Sequence, residues 1–378
     1  MLVIGDDLKK KKVIQIDAAR SRAILICGKR GSGKSYTQGV IAEELYFTKE
    51  RPLIIIIDPI GIYWTMCLPN KKANSTKALP VRILIPGNPH ERYDFDVILQ
   101  MQHLGIEFKR IEIRPYELSE EAWCNLFDLS INEPLGISLY RAVQSLKEKG
   151  MFSIPDIIAE IKNDKFSQDK TQEALINRLE SLNRLGIFSV KTEDSEENIF
   201  NPEKINVLDL SVLEPSAFGL RNLLLDILSR HLFKENILNK KRHDLELPCE
   251  MKRIWLLLDE AHQFAPQGQK TLAKEILIRW VKEGRQPGLS CVFVTQQPSS
   301  LDNEIISQCD LIITHKITNV EDVLTVNKLT QAYMPSELKL LIHNLKRPGE
   351  AVLIDDSKES VSMVKIRPRL TQHGGEEC

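Results

Sequence analysis

The chain lacks any long apolar run. Its most hydrophobic stretches, PLIIII at 52–57 and IWLLL at 254–258, are far shorter than the roughly 20 residues a membrane-spanning helix needs. It also lacks an excess of either charge: 51 Lys and Arg stand against 52 Asp and Glu in 378 residues, a net charge of −1. That balance excludes binding of nucleic acid through bulk positive charge and leaves only a local basic pore or groove. Basic clusters such as Lys9–Lys12 and Lys240–Arg242 read by default as solvated faces or tails. The seven cysteines (27, 67, 124, 249, 291, 309 and 378) are odd in number and include no CxxC pair, which argues against a disulfide or zinc framework and for reduced thiols. MLVIGDDLKKKK at 1–12 sets acids and lysines where the apolar part of a secretory signal would lie. A cytoplasmic protein without membrane attachment is the expectation. There is no internal repeat and no low-complexity tract.

What is present alternates between strand and helix patterns. AILIC at 23–27 is a short strand-like run, followed by a glycine-rich loop and then YTQGVIAEELYF with helical spacing of Val40, Ile41, Leu45 and Tyr46. Further buried strands are expected at 53–57 and 81–85, the latter ending at the turn PGNP. From about 119 to 188 the pattern becomes helical: SEEAWCNLFDL opens on Ser119 as an N-cap, and three more helical patterns follow before the polar connector KTEDSEEN. INVLDL at 205–210 resumes the strand pattern, LRNLLLDILSRHLF is a long helix, and NKKRHDLELPCE reads as a polar linker. RIWLLLDEAH, LSCVFVTQQ and DLIITHK supply three more strands, and the last segment, to KIRP, reads as a hairpin at the sheet edge. Continuous rather than alternating apolar runs point to parallel strands covered on both faces.

Residues 28–35, GKRGSGKS, satisfy GxxxxGK[ST]. Such a loop curls successive backbone N–H groups around phosphate oxygens, which only small side chains permit, with a helix N-terminus behind it. Chance alone would put the four fixed positions in roughly one chain of this length per hundred, and the strand before and helix after lower that further. The spacing predicts Lys34 on the β and γ phosphates of ATP and the Ser35 hydroxyl on Mg²⁺. Gly28, Arg30, Gly31, Ser32, Gly33, Lys34, Ser35 and Tyr36 form the candidate nucleotide contacts. A second carboxylate is needed for the magnesium shell, and Asp259 at the end of an apolar strand supplies it, with Ser35 as the other metal-site residue. Glu260 next to it has the chemistry of a general base for the attacking water.

DEAH at 259–262 invites a reading as a DEAH-box RNA helicase, which the spacing opposes: the box lies 225 residues after Lys34, with one domain's strands around it. Instead, GKRGSGKS, IIIIDPIGIYW, LLLDEAHQFAP, the stretch from VKEGRQPG through TQQPSS to ITNVEDV, and KIRPRLTQHGG together resemble the HerA branch of the HerA/FtsK superfamily of hexameric DNA-translocating ATPases. The resemblance runs from about residue 3 to 375.

It implies an α/β fold: a RecA-like P-loop NTPase core with a mainly parallel sheet, carried by residues 1–115 and 201–378, and an inserted helical subdomain at 116–200. It implies an ATP-hydrolysing homo-hexamer around double-stranded DNA, coupled to a nuclease or other effector in DNA-end processing or anti-phage defence. It further implies catalytic roles for Lys34 and Glu260, for Arg285 as an arginine finger acting on a neighbour's γ-phosphate, for Gln296 as a polar sensor, and for Arg22 as a second arginine at the nucleotide interface. Departures are visible. RQPG and TQQPS stand where the family commonly has further basic residues, Gln297 replacing an arginine, and 27 residues precede Gly28 where the family carries a β-barrel, so a chain lacking that barrel is expected. A regulatory or scaffold ATPase, whose ring organises an effector without moving DNA, is the alternative these departures favour. A packaging or conjugation motor of the same superfamily is a third reading.

Overall fold

In the computed structural model, which describes residues 1–190, 199–214, 219–328 and 337–375, short aliphatic runs become strands: β1 (Leu2–Asp7), β2 (Val13–Ile16), β3 (Ala23–Cys27), β4 (Leu53–Asp58), β5 (Val81–Pro86), β6 (Glu107–Ile111), β7 (Ile205–Asp209), β8 (Ile254–Leu258), β9 (Leu289–Thr295), β10 (Leu311–Thr314), β11 (Glu350–Asp355) and β12 (Ser360–Ile366). The helices are α1 (Lys34–Tyr46), α2 (Phe95–His103), α3 (Glu120–Leu126), α4 (Pro134–Lys149), α5 (Ile154–Lys162), α6 (Asp169–Asn183), α7 (Leu220–Asp244), α8 (Leu272–Glu283), α9 (Asn303–Ile306), α10 (Val320–Lys328) and α11 (Glu337–His343). None of the helices among the described residues is long and apolar enough to cross a membrane.

All twelve strands form one sheet in the order β2-β1-β12-β11-β10-β3-β9-β8-β4-β7-β5-β6. From β10 to β6 every neighbouring pair is parallel; from β2 to β10 every pair is antiparallel. This is the expected RecA-like P-loop core with an antiparallel extension. Successive side chains of a strand point to opposite faces, so each central strand feeds two cores. Ile24 and Ile26 of β3 join Val40, Ile41 and Leu45 of α1 on one face. Leu25 joins the helices from α3 to α11 on the other. Because both faces are covered there, the central parallel strands β3, β4, β8 and β9 are buried along their whole length.

Ser119 caps α3, its side chain accepting the Ala122 N–H, and α4, α5 and α6 are the three further helices between β6 and β7. They share one continuous apolar core with α7 and α8. The connector KTEDSEEN lies outside the described residues.

Two expectations need correction. The terminal hairpin β11–β12 is not at the edge, because β12 pairs with β1 and β1 with β2. Lys9–Lys12 falls in the exposed turn of that outer β1–β2 hairpin. Its strands are short, β1 ending on two acids and β2 mostly open to solvent, so pairing of β1 with β12 and of β2 with β1 defines them. The opposite edge strand, β6 (EFKRI), is half polar for the same reason. The linker beginning at Asn239 starts as helix, since α7 continues to Asp244, with Lys241, Arg242 and His243 in its last turn, where cations favour the helix dipole.

Trp280 on α8 fastens the face behind the site. It is 1 % exposed, donates its indole N–H to Ser290 O on β9 at 3.3 Å, and its ring centroid lies 6.3 Å from that of Phe233 on α7. Trp280→Ala should therefore cost about 3–5 kcal/mol, read as a lower urea midpoint with the same far-ultraviolet circular dichroism before the transition.

Candidate active site

Because β3, β9, β8, β4 and β7 are parallel, their carboxyl ends share one edge of the sheet, and that edge is where ligands of open α/β sheets bind. Cys27 of β3 leads into the glycine loop, Leu258 of β8 into Asp259 and Glu260, and Thr295 of β9 into Gln296. Asp58 and Asp209 end β4 and β7. Residues spread along the sequence from Cys27 to Gln296 are gathered along this edge by strand pairing alone.

The loop is held open by its glycines. Gly33, the N-cap of α1, has φ +107, a conformation L side chains avoid. A Cβ on Gly28 would come within 2.6 Å of Ser32 Oγ and 2.7 Å of His315 Cβ. Ser32 donates its N–H and hydroxyl to Lys29 O at 3.2 and 2.7 Å, and Lys29 N–H donates to Lys316 O at 2.8 Å. The Lys34 ammonium is buried and reaches Lys29 O at 3.1 Å. Burial lowers its pKa, and Glu260 and Asp259 work against that shift. Lys29, Arg30 and Gly31 remain exposed at the loop tip.

Asp259 is fully buried. Desolvation pushes its pKa up, aided by Glu260, while hydrogen bonds from the Ser35 hydroxyl, Glu260 N–H and Tyr63 hydroxyl oppose the rise. The Ser35 hydroxyl thus donates its hydrogen bond to Asp259, so its oxygen can still act as a ligand. Glu260 sits in the left-handed region (φ 46, ψ 46), a strained placement of the kind found at functional sites. Its N–H donates to Asp259 Oδ1 at 2.9 Å, its Oε1 accepts from Gln296 Nε2, and its Oε2 is buried with no hydrogen-bond partner among the described residues. The His262 Nδ1 lies 3.5 Å from that oxygen and 3.1 Å from Thr295 Oγ1. An unpartnered buried carboxylate oxygen beside a second carboxylate and a phosphate loop is the arrangement a water-activating base requires.

A family model described as the central domain of the helicase HerA matches residues 3–235. The chain belongs to the HerA family. A second model, described as zonular occludens toxin, matches residues 203–358. A probable helicase of Methanocaldococcus jannaschii is 25 % identical over the whole of this chain and 69 % of its own length. The DNA double-strand break repair helicase HerA of Pyrococcus furiosus is 24 % identical over 96 % of this chain and 70 % of its own length. Among solved structures, VirB4 of Thermoanaerobacter pseudethanolicus superposes with a TM-score of 0.60 at 16 % identity, covering 97 % of this chain and 96 % of that one. The bacterial conjugative coupling protein TrwB does so with a TM-score of 0.57 at 13 % identity, covering 100 % and 95 %. The protein is a P-loop ATPase of the HerA/FtsK class with the RecA-like fold.

In this HerA-family ATPase the remaining site residues are placed unequally. Tyr36 follows Ser35 on α1 and accepts the Arg369 N–H at 2.7 Å, its ring 5.6 Å from that of His373. Arg285 is exposed between α8 and β9, at the amino edge of the sheet. The seven residues of β9, about 23 Å of strand, separate it from Gln296. Arg22 precedes β3 at the same amino edge and is 7 % exposed. Its Nη1 pairs with Asp310 Oδ2 at 2.5 Å and its Nε donates to Asp17 O at 3.1 Å. The fold does not bring Arg22 to the phosphate loop of its own chain: a guanidinium buried between strand ends has taken the carboxylate that Asp310 offers.

Several site neighbours escape sequence reasoning. Asp58 accepts the Gly61 and Tyr63 N–H groups at 2.7 and 2.8 Å, and burial, then Asp209, pushes its pKa to about 7. His315 is buried behind the loop, with Nδ1 donating to Glu350 O at 3.0 Å and Nε2 accepting from Thr37 Oγ1 at 2.9 Å. Their signals, an Asp ending IIIID and a His after LIIT, gain meaning only once the strand ends are aligned.

Burial lowers the His315 pKa from 6.5 to about 4. Between those values the unfolded chain takes up a proton that the folded imidazole does not, so stability falls as pH drops through that window and this contribution levels off below it. His315→Gln removes the group. Urea midpoints measured from about pH 7 to about pH 4.5 should fall more steeply for the wild type than for the variant; parallel curves would show that the imidazole does not titrate as described.

Proposed function

We propose that the protein is an ATP- and Mg²⁺-dependent DNA translocase or helicase that works as a head-to-tail homo-hexamer around double-stranded DNA, coupled to a nuclease or another effector. The observation that carries this reading is the separation of two halves of one chemistry. Lys34, Ser35, Asp259, Glu260 and Gln296 meet at the carboxyl edge, whereas Arg285 stands exposed at the amino edge. Charge developing on a transferred phosphoryl group needs a cation from outside the phosphate loop, and Arg285 stands too far off to reach the loop of its own chain. A neighbour presenting its amino edge completes the site, and repetition of such a heterologous contact closes a ring. The relatives named DNA double-strand break repair helicase support DNA as the substrate.

Mg²⁺ fits the donors: one carboxylate, Asp259, beside a serine hydroxyl, with nucleotide phosphates and water to complete an all-oxygen shell. When bound, it would neutralise phosphate charge. Glu260 Oε2 then takes the proton of the attacking water, with Gln296 holding the other oxygen of that carboxylate in place.

Glu260→Gln should retain ATP binding and lose about 10²–10⁴-fold in turnover. Arg285→Ala should lose about 10³-fold or more. If Arg285 acts across the interface, mixing Lys34→Ala, which keeps the arginine, with Arg285→Ala, which keeps the site, restores measurable hydrolysis; two inactive proteins that remain inactive when mixed would refute action in trans.

Linear double-stranded DNA should stimulate hydrolysis, and the stimulation should weaken as salt rises, because phosphate contacts release counterions. A hexamer by native mass whose turnover ignores DNA would instead indicate a ring that organises an effector without moving DNA. Gln297, exposed where the family resemblance expects arginine, is the residue that favours this second outcome.

A further inference from the structure

Asp259 carries its charge away from solvent, and one of its supports comes from a side chain outside the phosphate loop and the carboxylate motif. Tyr63, 1 % exposed, donates its hydroxyl to Asp259 Oδ2 at 3.0 Å. It stands in a short 3-10 turn, Tyr63–Cys67, that follows β4. That turn is pinned at its start by Asp58, whose Oδ2 accepts the Tyr63 N–H at 2.8 Å. It is pinned at its middle by the C-terminal strap, residues 367–375. Thr65 Oγ1 lies 3.1 Å from Gln372 O, Gln372 N–H donates to Leu68 O at 2.8 Å, and Asn70 N–H donates to Leu370 O at 2.9 Å.

The same strap is fastened to the helix that begins at Lys34. Glu43 of α1, fully buried, accepts Leu370 N–H at 3.0 Å and the Thr371 N–H and hydroxyl at 2.8 and 2.7 Å. Arg367 pairs with it at 2.9 Å. The strap therefore ties the Tyr63 turn to the phosphate-loop helix, and with it the two elements that bear Asp259's outside donors, Ser35 and Tyr63.

We propose that Tyr63 is a positioning residue of the cation site, fixing the Asp259 carboxylate through its hydroxyl, and that the C-terminal strap holds Tyr63 at the correct height by bracing its turn against α1. This rests on the reading of Asp259 as the cation-binding carboxylate. A carboxylate fixed by hydrogen bonds on the oxygen turned from the cation binds it more tightly than a free rotor, and losing such a support commonly costs 10- to 100-fold in affinity. A role confined to packing would leave the cation and the nucleotide equally affected.

The test uses the full chain with a non-hydrolysable ATP analogue and Mn²⁺ as the probe, read by electron paramagnetic resonance, and separately a fluorescent ATP analogue in the presence of EDTA. Tyr63→Phe, which removes one oxygen atom, should weaken Mn²⁺ by about 10-fold or more and leave cation-free nucleotide affinity unchanged. In steady-state hydrolysis the Mg²⁺ concentration for half-maximal rate should rise by a similar factor. Unchanged Mn²⁺ affinity, or equal losses in both titrations, would overturn the proposal. Asp259→Asn separates the two layers: if it leaves Mn²⁺ affinity intact, the cation-site reading itself fails; if it abolishes Mn²⁺ binding while Tyr63→Phe does not weaken it, only the role of Tyr63 fails. Should Tyr63→Phe not fold, Thr65→Val removes the hydroxyl shared between Gln372 O of the strap at 3.1 Å and Ile62 O at the head of the turn at 2.8 Å, without touching Asp259. A severalfold weaker Mn²⁺ affinity there supports the bracing, and wild-type affinity overturns it.

Discussion

A carboxylate sealed from water is unstable as an ion unless hydrogen-bond donors replace the solvent it has lost. Asp259 is in that position, and the elements around the phosphate loop are arranged to supply the donors. One comes from the first turn of α1 through Ser35, one from the backbone of the next residue, and one from Tyr63 beyond β4. Each donor belongs to a different segment, so the ion holds three parts of the fold in register. A cation bound by such a group meets ligands already in place, without the cost of ordering them on binding.

The sheet explains why the groups proposed for catalysis divide between two edges. Parallel strands send their carboxyl ends one way and their amino ends the other. The loops that follow strands build a phosphate site, and the segments that precede strands build a surface on the far side. Arg22 and Arg285 both precede strands, and the structure treats them differently. Arg22 is buried against Asp310 and spends its charge on closing the amino edge. Arg285 is left exposed to solvent. Only an arginine of the second kind is open to a neighbouring molecule, which is why the external cation proposed for phosphoryl transfer is Arg285 and not Arg22.

Behind the loop, neutral His315 joins α1 to β11, and the strap joins α1 to the turn after β4. The helix that carries Lys34 and Ser35 is thus tied at both ends to elements that follow other strands. Such bracing is what a site needs when its donors must stay within a few tenths of an ångström of a productive geometry. It also uses the antiparallel half of the sheet, which contributes no site residue of its own but carries the strap to α1.

The amino-acid sequence by itself determined the phosphate loop, the Asp259–Glu260 pair, the parallel core strands and the helical run from Ser119, because each is written in contiguous residues whose local chemistry has few alternatives. Glycines at fixed spacing before Lys34, or five buried positions between Arg253 and Asp259, constrain the backbone within a single segment. The edge strands β2 and β6 and the outer strand β1 were not legible, since short strands with polar or exposed positions acquire their identity from the neighbour they pair with. The tertiary structure alone decided that Arg22 is consumed by Asp310, that Gln296 reaches Glu260, and that Tyr63 and the strap at 367–375 belong to the surroundings of Asp259. Those relations join residues from 36 to 328 positions apart, and only the order in which strands lie side by side determines which of them meet.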